Sequence, residues 1–215
     1  MSLAFAAGIM LVASFTSLIL PALEISSIKL VIVGIILGYF IMYVIEKYLP
    51  HEHFLSGYEG PEEIKTKLKK WWLIIIAIII HNFAEGLAIG TSLAYESKKG
   101  IATALAIGIQ DIPEGTAVVL PLITGGYSIG LAIIVGFLSG LSELITALLG
   151  YGIFSYASYL LPLGLSMAGS AMLYVVSKEM FPEIYHESNK SQERYITFSF
   201  LIGFIVMLIL DSIFG

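Results

Sequence analysis

An all-α, polytopic membrane protein is the fold class that this sequence predicts, on three observations. Of its 215 residues, 58% are hydrophobic and only 13% charged, a balance that does not describe a water-soluble chain. The apolar residues gather into runs of about 20, the length that crosses a bilayer as a helix. Such runs are far too long for barrel strands, and lipid leaves backbone amides and carbonyls no water to bond, so the runs must be helical.

Seven runs lie along the chain. The first, Leu3 to Ala22, is closed by Pro21 and Glu24. It lacks a basic leader and a small-residue cleavage site, so it reads as a span and not as a signal peptide. Leu30 to Ile45 is short and borrows a turn from its flanks. Trp71 to Tyr95 carries Trp71, Trp72 and Tyr95 at its ends, where amphipathic rings anchor among headgroups. Ile101 to Ile123 contains Pro113, which removes an amide donor and frees the carbonyl of Ile109, so a kink is expected there. Ile129 to Tyr151, the shorter Tyr159 to Val176, and Tyr195 to Phe214 complete the set. Together they make one transmembrane domain over residues 1–215, with a loop at about 46–70.

The lysines orient it. With the N-terminus inside, the inner loops hold Lys47, Lys65, Lys67, Lys69, Lys70, Lys178, Lys190 and Arg194, and the outer loops only Lys29, Lys98 and Lys99. The excess predicts the N-terminus in the cytoplasm and the C-terminus outside, in the cell membrane. A net charge of −5 with Arg194 the single arginine excludes a nucleic-acid partner. With no cysteine there is no disulfide and no thiolate, so metal chemistry falls to imidazole, carboxylate, amide and thioether groups.

The loop carries His51, Glu52, His53, Glu59, Glu62 and Glu63. It reads either as a solvated linker or as a loose collector of divalent ions. Glu179 to Arg194, with Glu183, His186 and Glu187, has the same two readings.

Four acids lie deep in the spans: Glu85, Asp111, Glu114 and Glu143. A charge in hydrocarbon costs at least about 2.5 kcal/mol, and no lysine or arginine lies at comparable depth, so protons or a bound cation must neutralise them. Their spacing is ordered. His81, Asn82 and Glu85 read H-N-x-x-E-G, and Gln110, Asp111 and Glu114 read Q-D-x-x-E-G. Positions i and i+4 share a helical face. Glu85, Glu114 and Glu143 follow one another at 29 residues, which predicts similar depths in successive antiparallel spans.

His81, Glu85, Gln110 and Glu114 make a nitrogen and oxygen set for a borderline ion such as Zn²⁺. Asn82, Asp111 and Glu143 suit a second, harder, all-oxygen site, with Glu85 and Glu114 bridging. Emptying such a centre draws in protons, so metal binding and proton release should be linked. Gly86, Gly90, Gly108 and Gly115 read as sites of close helix packing.

His81-Asn82-Phe83-Ala84-Glu85-Gly86 and Gln110-Asp111-Ile112-Pro113-Glu114-Gly115 resemble the paired metal-binding motifs in helices four and five of the ZIP (Zrt/Irt-like) transporters, in their GufA-like prokaryotic branch. Ala4 to Phe15 resembles that branch's second helix, Ser142-Glu143 its sixth, and Ala168 to Glu179 its seventh. The resemblance implies a binuclear transporter bringing Zn²⁺, and Fe²⁺, Mn²⁺ or Cd²⁺, into the cytoplasm as substrate, with no prosthetic group. It adds Met10 as a thioether neighbour of the first site and Ser17 as a lining residue. The ZIP fold has eight helices, and the seven here correspond to the second to eighth, so a first helix is expected to be absent or cut off by a misassigned start. Expected partners are divalent metal ions, the lipid bilayer and a second copy in a homodimer.

Two other readings compete. An intramembrane metal-dependent hydrolase would use similar ligands, but the chain has no H-E-x-x-H pair, and no enzyme is expected. A proton-conducting protein would keep its acids protonated, and metal binding separates the two.

Overall fold

The computed structural model describes residues 1–53, 57–61, 70–124, 126–185 and 190–214. Its helices are α1 (Ser2–Ile25), α2 (Ile28–Tyr48), α3 (Lys70–Tyr95), α4 (Ser97–Thr124), α5 (Ile129–Tyr156), α6 (Ser158–Tyr185) and α7 (Lys190–Phe214). Two of them widen into a π-helical turn, α1 at Ser14–Ile19 and α6 at Val176–Met180. Each apolar run of the sequence falls inside one helix. Helices α2 and α6, short as apolar runs, reach 21 and 28 residues, because helical geometry continues past the first charge when that charge finds a partner. Serine caps mark two starts: the hydroxyl oxygens of Ser27 and Ser128 accept from the amides of Leu30 and Leu131, at 3.5 and 3.2 Å.

Between α2 and α3 the chain departs from the expected linker. β1 (His51–His53) and β2 (Gly57–Glu59) pair antiparallel with His51 opposite Glu59. His51 is buried, its Nδ1 2.8 Å from the carbonyl of Leu49, so it is no solvated side chain. The strand packs against α3. The side chains of Glu52, His53, Glu59, Lys70, Trp71 and Trp72 lie outside the described residues, as do Glu62, Glu63, Lys65, Lys67, Lys69, His186 and Glu187.

Among the described residues, five helices are long and apolar enough to cross a membrane: α1, α2, α5, α6, and α7 over Gln192–Phe214. In α1 and α6 about two thirds or more of the span is buried, 67% and 72%, against 11% in α5. The first two are therefore inner helices, whereas α5, with α2 and α7, turns apolar side chains outward. The helix α3 packs against α4, α5 and α6, and α1 packs against α7 and α4. Buried Ala6, Ala13, Ala84, Ala88, Ala106 and Ala168 line these contacts. In lipid such packing relies on van der Waals fit, which small residues permit.

Fit is tight between α3 and α5, as it is between α1 and α7 and between α2 and α6. A Cβ on Gly86 would strike the Glu143 carbonyl and the Thr146 hydroxyl, and one on Gly90 would strike the Ala147 carbonyl. Gly108 and Gly115 behave otherwise: a Cβ there meets open space, because that side of α4 faces outward and not a neighbouring helix.

Candidate metal centre

Helix α3 supplies His81, Asn82 and Glu85 within little more than one turn. Glu85 is fully buried and accepts a hydrogen bond from the side-chain amide of Gln110, itself fully buried on α4. The next residue of α4 is Asp111. On the opposite flank, the glycine contact draws α5 close enough to bring in Glu143. Carboxylate oxygens of Glu85, Asp111 and Glu143 lie within 4.8 Å of one another. Two unit charges at that separation repel by about 3 kcal/mol at an effective dielectric of about 20, so three together favour a divalent cation or bound protons.

Around this trio the other expected ligands are placed differently. Asn82, 5% exposed, faces α5, donating from Nδ2 to the Ser139 carbonyl at 3.4 Å. Its own carbonyl accepts from Thr146 Oγ1 at 3.5 Å. His81 turns to α6, its Nδ1 3.2 Å from Glu179 Oε2. Met10 is fully buried on α1, and Ser17 lies buried in the π-helical turn of the same helix. Glu114 sits on α4 one turn beyond Gln110, and its side chain, like that of Pro113, lies outside the described residues.

Glu46 escapes the sequence reading, and Glu179 enters it only as the edge of a mixed segment and of the stretch resembling the seventh helix. Glu179 is 6% exposed and sits on the π-helical turn of α6. Glu46, 4% exposed near the end of α2, accepts from Tyr174 Oη at 2.6 Å and pairs with Lys178 Nζ at 3.0 Å. Both acids end an apolar run, where a charge is usually taken as the edge of the span. Extending each run by a turn is the signal that finds them.

Long apolar helices, with an acid cluster where three of them meet, define a helical membrane protein. The ZIP Zinc transporter family model matches residues 56–211. The chain is 40% identical over 209 residues to the zinc transporter GufA of Myxococcus xanthus, covering 93% of this chain and 80% of that protein. It is 39% identical over 230 residues to the zinc transporter ZIPB of Bordetella bronchiseptica, covering 99% and 71%. The metal cation symporter ZIP14 of Xenopus tropicalis is 30% identical over 152 residues, covering 67% and 32%. The chain belongs to the ZIP family. It is a multi-pass membrane transporter and not an enzyme, which removes the hydrolase reading.

Proposed function

We propose that this protein carries divalent metal cations, Zn²⁺ foremost, across the cell membrane into the cytoplasm. The convergence of Glu85, Asp111 and Glu143 within 4.8 Å, between three helices, carries this reading. The names of the GufA and ZIPB relatives support zinc as the cargo. Two ions share the centre. His81, Glu85, Gln110 and Glu114 hold the first with Met10 beside it, and Asn82, Asp111 and Glu143 hold the second, Glu85 and Glu114 bridging. All seven helices cross the membrane, the N-terminus inside, the C-terminus outside and the hairpin-bearing loop in the cytoplasm.

Flux of Zn²⁺, Cd²⁺, Mn²⁺ and Fe²⁺ into proteoliposomes tests this. Wild-type protein should move at least Zn²⁺, with Glu114→Ala and His81→Ala impaired. Folded wild-type protein that neither binds nor moves any of the four ions would overturn it.

A further inference from the structure

His81 lies against a residue that neither sequence motif contains. Its Nδ1 is 3.2 Å from Glu179 Oε2, and the two side chains are 12% and 4% exposed. The contact joins positions 98 residues apart, on α3 and α6. We infer that Glu179 is a positioning residue for His81, setting which ring nitrogen is presented to the metal and in which orientation.

The chemistry follows from the two partners. An ionised carboxylate only accepts hydrogen bonds, so the imidazole nitrogen facing it carries the proton. The other nitrogen, Nε2, is then the one that can ligate. A ligating histidine held through its second nitrogen by a carboxylate keeps its tautomer and ring plane and becomes a stronger base. His81 and Glu85 are separated by one helical turn on the same face of α3, so the carboxylate on α6 orients a histidine that stands one turn from the acid cluster.

The placement of Glu179 is built into the fold. In the wide turn Val176–Met180 consecutive residues reach two helices, Lys178 to α2 and Glu179 to α3, with Glu179 also beside Glu46 of α2. Lys178 reaches Glu46 on α2 at 3.0 Å, and Glu179 reaches His81 on α3. The Tyr174 hydroxyl, one turn before Lys178, binds the same Glu46 at 2.6 Å. These two contacts fix the rotation of α6 about its axis, and that rotation aims Glu179 at α3.

The inference rests on His81 being a metal ligand, and the experiment separates the two ideas. Zn²⁺ and Mn²⁺ affinities are measured on the purified full chain in detergent, for wild type, Glu179→Gln, Glu179→Leu, His81→Ala and the His81→Ala/Glu179→Leu double variant. Glutamine keeps an oxygen that accepts the Nδ1 proton, so Glu179→Gln should retain Zn²⁺ affinity. Glu179→Leu should lose about 10–100-fold for Zn²⁺ and far less for Mn²⁺, which depends little on imidazole. On the His81→Ala background, Glu179→Leu should add nothing. Nitrogen-15 histidine spectra, with the His81 signal assigned by its loss in His81→Ala, should show Nδ1 protonated in wild type and Glu179→Gln; this holds whether or not the leucine variant folds.

A glutamine variant as weak as the leucine one, equal losses for the two metals, or no loss in a folded Glu179→Leu overturns the positioning role. Unchanged Zn²⁺ binding in His81→Ala overturns instead the assignment of His81 to the metal.

Discussion

Gly86 of α3 lies so near Glu143 of α5 that a methyl group on the glycine would meet the backbone carbonyl of that glutamate. One small residue thus sets the distance between two of the three carboxylates in the cluster. Gly86→Ala should push α5 away, costing about 1–3 kcal/mol as other overpacked cores do, and should weaken divalent binding. Gly108→Ala, where a Cβ meets open space, should be neutral or slightly stabilising. Thermal melts in detergent, with and without Zn²⁺, compare the pair.

Removing one charge from the trio should act in opposite directions on stability and binding. Glu143→Gln keeps the shape but relieves repulsion with Glu85 and Asp111, so the metal-free protein should melt higher than wild type. Its stabilisation by added Zn²⁺ should shrink. Wild type at 100 times its dissociation constant should gain about 2.7 kcal/mol from binding. A Glu143→Gln variant that melts lower without metal and responds to it normally would place the trio's repulsion elsewhere.

At the far end of α6, the ion pair of Glu46 and Lys178 predicts a non-additive pair of substitutions. Lys178→Met leaves a carboxylate that is 4% exposed without its cation. Losing a buried partner costs about 3–5 kcal/mol, but Lys178 itself is 41% exposed, so solvent screening should reduce this to about 1–2 kcal/mol. Adding Glu46→Leu should recover much of the loss, because the carboxylate that lost its cation is then gone. Denaturation of the single and double variants gives the coupling.

Orientation can be read directly, since the chain has no cysteine. In sealed cells, Lys98→Cys should react with a membrane-impermeant maleimide and Lys47→Cys only after permeabilisation, both side chains being at the surface. The reverse pattern would turn the protein over.

Much of the architecture was legible because it depends on local signals. A run of about 20 apolar residues declares a helix wherever it lies. Likewise, His81 with Glu85, or Gln110 with Glu114, share a face by helical geometry alone. The hairpin at His51 was missed because a polar stretch carries no strand periodicity. The fully buried His51 was missed with it, since its burial depends on tertiary packing that includes the strand's contact with α3.

What the sequence determined by itself was therefore the class: a helical bundle in lipid, with acids where lipid forbids unneutralised charge, on motifs resembling those of ZIP transporters. Tertiary structure alone decided the partnerships. It placed Asp111 beside Glu85 and Glu143 in the described cluster, set His81 against Glu179, and enclosed Glu46 between Tyr174 and Lys178. Each joins residues from different helices, and their separation is governed by how closely those helices pack and how each is rotated. Helical periodicity places residues around their own axis, and small residues such as Gly86 let the axes approach. Which faces then meet depends on the packing of all the helices together.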